Sequence, residues 1–146
     1  MDNITKNIET ASDLNFVSNI LHDSVFSLDG IKFNSEKNEF QLTCYRLLNE
    51  IYERKKIIPF IYREKRMRKK CLLNFSNVGT IQETIHDNIK WYSIVKIAYD
   101  IPEIIIKTEG CIDLVIYSEH LLGSIEDSEE IIKDSLGYSD ISFGRK

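Results

Sequence analysis

Between Arg63 and Lys70 the chain reads R-E-K-R-M-R-K-K, six cations against one anion, in a protein of net charge −4. Across Arg46–Lys70 there are ten Lys/Arg and three acids; from Tyr99 to the C-terminus there are eleven acids and four cations. A split of +7 against −7 is the electrostatic signature of an anionic partner, or of one half of the chain holding the other. The candidate anion-binding set is Arg54, Lys55, Lys56, Arg63, Arg66, Arg68, Lys69 and Lys70. Nucleic-acid binding also needs stacking surfaces, and Tyr52, Phe60 and Tyr62 interleave with these cations. No motif of an RNA-recognition sheet accompanies them, and a solvated basic loop leading into a strand accounts for the same run. A third reading places it against the acidic C-terminal segment of its own or a neighbouring chain.

Other groups capable of chemistry are scattered. Arg46 and Glu50 lie four apart, so they pair across a turn if Leu47–Ile51 is helical, as a structural or partner-anchoring pair. The doublets His22-Asp23 and His86-Asp87 suggest a metal-dependent phosphohydrolase. Such a site needs further ligands from several long helices, and adjacent helical residues diverge by roughly 100°. Asp23 is therefore read as a cap or turn residue. Glu119-His120 with Asp113, Glu126 and Asp127 is the remaining acid–base cluster. No nucleophile elbow, P-loop or Gly-rich phosphate cradle goes with it. No catalytic residue, metal ligand or cofactor is assigned, and the chain is read as non-enzymatic.

The elements that must position these groups form one domain by the length prior, at 146 residues. The expected organisation is a loose arm over 1–9, a globular domain over 10–136 and a flexible tail over 137–146. Thr10–Asp13 offers N-caps, and Leu14, Val17 and Leu21 follow at helical spacing. The period then becomes two: Ile31 and Phe33, then Phe40, Leu42 and Cys44, predict a meander of antiparallel strands. Arg46–Lys70 breaks the pattern and reads as a long connection. Alternation resumes in Cys71–Phe75, Trp91–Tyr99, Ile104–Ile106 and Ile112–Ile116, with Leu121–Ile125 as a further strand candidate. Thr80–Asn88 reads as weak helix or loop. Ile131, Ile132 and Leu136 share a helical face, which predicts a short acidic helix over Asp127–Leu136. The predicted fold is α+β: a twisted antiparallel sheet or small partly open barrel of six to eight strands with an N-terminal helix. A pleckstrin-homology-like barrel is the leading specific architecture.

Cys44, Cys71 and Cys111 are odd in number and each sits in an apolar run, so they read as reduced core thiols of a cytoplasmic protein. No stretch approaches the ~20 consecutive apolar residues of a membrane span, and Met1–Thr10 lacks the pattern of a secretory signal.

The order of motifs resembles an uncharacterised alphaproteobacterial family, domain of unknown function 2948. Ser12-Asp13-Leu14 and His22-Asp23-Ser24 bracket its opening helix. Arg46 and Glu50 match its N-R-F-x-W-E strand end, with Asn49 in place of the tryptophan. Leu73, Phe75 and Val78 match L-x-F-x-x-V after a basic run, and Gly110–Ile116 and Ile125-Glu126-Asp127 match its closing segments. The C-terminal W-x-T…P-x-H ending is missing. The resemblance implies a compact cytoplasmic domain and supplies no mechanism. The expected function is a binding or adaptor module for a protein partner or a second copy, with nucleic-acid or ribosome association through Arg54–Lys70 as the alternative.

Overall fold

The computed structural model describes residues 3–59, 61–85, 90–109, 112–133 and 140–143. The one α-helix among these residues, α1 (Ala11–Ile20), begins where expected. Thr10 Oγ1 accepts from the Asp13 N–H at 3.1 Å, and the Asp13 carboxylate accepts from the N–H groups of Thr10 and Glu9. This reciprocal cap satisfies otherwise orphaned N–H donors and contributes about 1 kcal/mol. The helix buries Leu14, Val17 and Ser18, and Ser18 Oγ accepts from the Ile97 N–H at 2.9 Å. Asp23, with φ of 69°, turns the chain out of the helix in the left-handed conformation that Asp tolerates.

The described residues also form eleven strands: β1 (Thr5–Ile8), β2 (Val25–Phe26), β3 (Ile31–Asn34), β4 (Glu39–Ile58), β5 (Ile61–Phe75), β6 (Thr80–Ile85), β7 (Tyr92–Asp100), β8 (Glu103–Thr108), β9 (Ile112–Tyr117), β10 (Gly123–Lys133) and β11 (Asp140–Phe143). They form one antiparallel sheet in the order β1-β10-β5-β4-β2-β7-β8-β9-β6, with β3 added to β4 and β11 to β5. The short β2 joins two halves by pairing Val25 with Tyr45 on one side and Ser93 on the other. A single apolar cluster runs from α1 through β4, β5, β7, β8 and β9 to β10. Of the expected core, Leu14, Val17, Leu21, Leu42, Phe75, Ile97, Leu114 and Ile116 are buried, and Phe33 packs against the cluster half-buried.

The α+β expectation holds only coarsely, because the protein is mostly β. The strands exceed six to eight, and the sheet ends at β1 and β6 without closing into a barrel. The helix predicted over Asp127–Leu136 is instead strand β10 as far as Lys133, so the pleckstrin-like C-terminal helix is absent among the described residues. Leu47–Ile51 and Thr80–Ile85 are likewise strand rather than helix or loop. For β4 and β10 the cause is register. The β10–β5 ladder shifts between Asp127 and Ile131, and the β4–β5 ladder shifts three times between Leu47 and Ile58. Each bulge inserts an unmatched residue and disrupts the alternation by which a strand is recognised. The long connection at 46–70 is therefore one hairpin. Thr5–Ile8, expected as a loose arm, pairs with β10 and buries Ile8, and Asp140–Phe143 in the expected tail pairs with β5.

Candidate functional site

Three sheet rows lead up to the charged part of the molecule. Phe40, Phe75 and Gly123 lie side by side across β4, β5 and β10, followed by Leu42, Leu73 and Ile125, then by Cys44, Cys71 and Asp127. Gly123 has no substitute: a Cβ there would sit 2.2 Å from Asn74 O and 2.7 Å from the Phe75 ring. In the next row Arg46 opposes Lys69. A dry core thus gives way to ionic contacts within two residues along each strand.

Asp127 is the hub, with its side chain fully buried. Arg46, whose side chain is 11% exposed, donates from Nε to Oδ1 at 3.1 Å and from Nη2 to Oδ2 at 2.8 Å. Oδ2 also accepts from the Ile4 N–H at 2.8 Å, and Cys71 Sγ donates to Oδ1 at 3.1 Å. The Asp127 N–H returns a bond to Ile4 O, so the same residue anchors the N-terminal segment. Burial pushes the Asp127 carboxyl up. The bonds from Arg46, Cys71 and Ile4 more than offset this and hold it below its ordinary value. The Arg46 guanidinium is raised by its bond to Asp127. Contact with the Cys44 thiol, then burial, then the neighbouring carboxylate push Cys71 far up, so it stays protonated and donates.

The candidate anion-binding set does not form one surface. Lys69, 4% exposed, donates Nζ to Asn3 Oδ1. Arg68, 3% exposed, points to the other face, where Nη1 donates to Asp23 O at 3.0 Å and Tyr45 O at 3.1 Å. These two cations are structural. Lys70 pairs with Glu130 at 3.7 Å, Arg66 is half-buried and Lys56 is exposed. The side chains of Arg54, Lys55 and Arg63, like that of Glu50, lie outside the described residues, as do His86-Asp87 and Cys111. The third reading of the charge split matches the geometry best, because acidic β10 runs antiparallel along basic β5.

Arg46 does not sit on a helix. In the extended β4 its carboxylate partner among the described side chains is Asp127, reached across the sheet from β10. The sequence carries a signal of this pair. Arg46 follows Leu42 and Cys44, and Asp127 follows Gly123 and Ile125, at the inward parity of their strands. Opposite charges at inward positions on two strands are what a buried ion pair requires.

The remaining cluster is dispersed. Asp127 and Glu126 lie on β10, and Asp113 faces Thr84 and Lys107 on β9. Glu119 and His120 are exposed and line a shallow cleft of about 330 Å³ with Asn38, Asn77, Val78, Gly79 and Tyr117. His22 Nδ1 meets the Asp23 carboxylate at 3.3 Å on the surface. Among the described residues no three His, Cys, Asp or Glu side chains converge as a metal site, and no helix is long and apolar enough to cross a membrane.

The cleft adjoins the free end of the sheet. Gly79 leads directly into β6, and the Gly79 N–H bonds to Tyr117 O. From Thr80↔Tyr117 to Ile85↔Ile112, β6 pairs with β9 without a register shift. No described strand pairs with its other side. Ile81 and Glu83 share the inward face with Ile116 and Leu114, yet Glu83 is exposed. Comparison with protein-family models, curated proteins and solved structures returns no match.

Proposed function

We propose that the protein is a non-enzymatic binding or adaptor module for a protein partner. The observation that carries the reading is the open end of the sheet: β6 offers a straight row of backbone donors and acceptors with no described strand beside it. Such an edge is a template for another chain. The free thiols of Cys44 and Cys71, side by side across β4 and β5, fit a reducing compartment such as the cytoplasm. The resemblance to domain of unknown function 2948 rests on the short motifs quoted above and adds no activity. Nucleic-acid binding through the basic segment is the weaker reading, since Arg68 and Lys69 are buried and Lys70 is held by Glu130.

The test is affinity capture of the tagged chain from its native cytoplasm, with and without nuclease, followed by mass spectrometry. A protein partner retained in near-equal amount after nuclease is the expected outcome. Recovery of nucleic acid alone, with every protein lost on nuclease treatment, would replace this reading with the alternative.

A further inference from the structure

Among the described strands most free edges are protected, and that of β6 is not. β1 and β3 have four residues each and carry a lysine; Lys6 of β1 pairs with Asp13 at 3.4 Å and lies over the Phe16 ring of α1. Residues 46–58 of β4 have no described strand on the side away from β5, but this edge includes Glu50, Glu53, Arg54, Lys55 and Lys56 and three register shifts. Short length, charge and bulges are the devices by which proteins keep edges from pairing. β6 reads Thr-Ile-Gln-Glu-Thr-Ile: six residues with one charge, no proline and no bulge.

We propose that β6 accepts an extended, positively charged peptide segment of a partner protein as an added strand, with one of its side chains entering the cleft beside Gly79. The proposal rests on the binding-module reading and names its partner class. Strand addition draws affinity from main-chain hydrogen bonds and specificity from the sites met by alternate side chains. Here those sites are acidic. Glu83 stands exposed on the inward face opposite Leu114, and Glu119 lines the cleft; Asp113 on β9 and Glu103 on β8, in register with Thr84 and Tyr117, lie on the other face of the sheet. Lys107, opposite Asp113, is the one cation in register among them. A cationic side chain on the incoming strand meets Glu83 directly across the new pair, the arrangement that stabilises cross-strand neighbours. The same charge works against a second copy, because two-fold pairing of β6 with itself brings two acidic edges together.

The probe is an acetylated, amidated heptapeptide alternating Lys and Val. Its controls are the Glu–Val counterpart and a Lys–Val peptide N-methylated on alternate residues. Binding is followed by amide hydrogen exchange of the full chain, resolved by NMR. The Lys–Val peptide should slow exchange at alternate amides of Thr80–Thr84, the Glu–Val peptide should not, and N-methylation should abolish the effect. Glu83→Lys should weaken Lys–Val binding by about tenfold or more and turn the preference toward Glu–Val, with its free spectrum otherwise unchanged. Glu119→Lys should weaken binding without that reversal. The proposal is overturned by equal binding of both peptides, by protection outside β6, or by no binding at about 1 mM. It is equally overturned by a dimer that protects β6 without peptide, which would assign the edge to a second copy. Failure here, alongside a nuclease-resistant protein partner in the capture experiment, removes the peptide site and leaves the binding module standing.

Discussion

Replacing Arg46 with Met tests whether the ionic hub holds the sheet together. The substitution keeps most of the aliphatic length of the side chain but removes both guanidinium bonds to Asp127. The carboxylate, fully buried, keeps only the Ile4 N–H and the Cys71 thiol as donors. A buried ion pair broken on one side typically costs about 3–5 kcal/mol, because the surviving charge has lost its solvent and its partner. With a urea dependence of about 2 kcal/mol per molar for a domain of this size, the midpoint should fall by roughly 1.5–2.5 M. Asp127→Leu removes the carboxylate instead, and the 11% exposure of the Arg46 side chain gives its guanidinium a partial escape to water. Its loss should be the smaller of the two. The double variant Arg46→Met/Asp127→Leu removes both charges and should recover most of the stability, since hydrophobic replacement of a buried pair is often near neutral. Urea titrations followed by circular dichroism read all four proteins. A midpoint shift below about 0.5 M for Arg46→Met, or a double variant as unstable as the worse single one, would refute the account of Asp127 as a buried charge dependent on Arg46.

Acid should act through the same group. The Asp127 carboxyl lies below its ordinary value of 3.8 when folded, so its contribution is fully present above that value and is lost as pH falls through the lower folded one. Stability measured between pH 6 and about pH 2 should therefore drop less steeply in Asp127→Asn than in the wild type. Leu114→Ala empties a fully buried position on β9 and should cost about 2–5 kcal/mol; an unchanged denaturation midpoint would contradict the facing of that strand. Cys44 and Cys71 should react slowly with thiol reagents in the native protein and completely once it is unfolded, because both are buried and Cys71 is held protonated. Arg68→Gln should lose about 1.5–3 kcal/mol with its bonds to the Asp23 and Tyr45 carbonyls, whereas Lys56→Gln at an exposed position should stay within about 0.5 kcal/mol.

Local pattern alone determined a good part of this protein. The helix from Thr10 to Leu21 was legible because its cap and its apolar spacing are both written within one short segment. Leu42, Cys44, Cys71, Leu73, Phe75, Leu114 and Ile116 were legible because unbroken strands alternate with a period of two, whatever lies beside them. Interruption hid much of the remainder. Register shifts in β4, β5 and β10 reverse the facing part-way along each strand, and a reader of local periodicity takes the result for helix or loop. Strand β1 was invisible for another reason: Thr5–Ile8 has little pattern of its own and is held by Asp127, more than a hundred residues away. The charge split was plain in composition, but whether those cations face a partner or the chain's own acids depends on which strand lies beside β5. Only the assembled sheet decided that, by laying β10 along β5 and so burying Lys69 and pairing Arg46 with Asp127. Which edge was left open is likewise a property of strand order, and no single strand encodes its own neighbours.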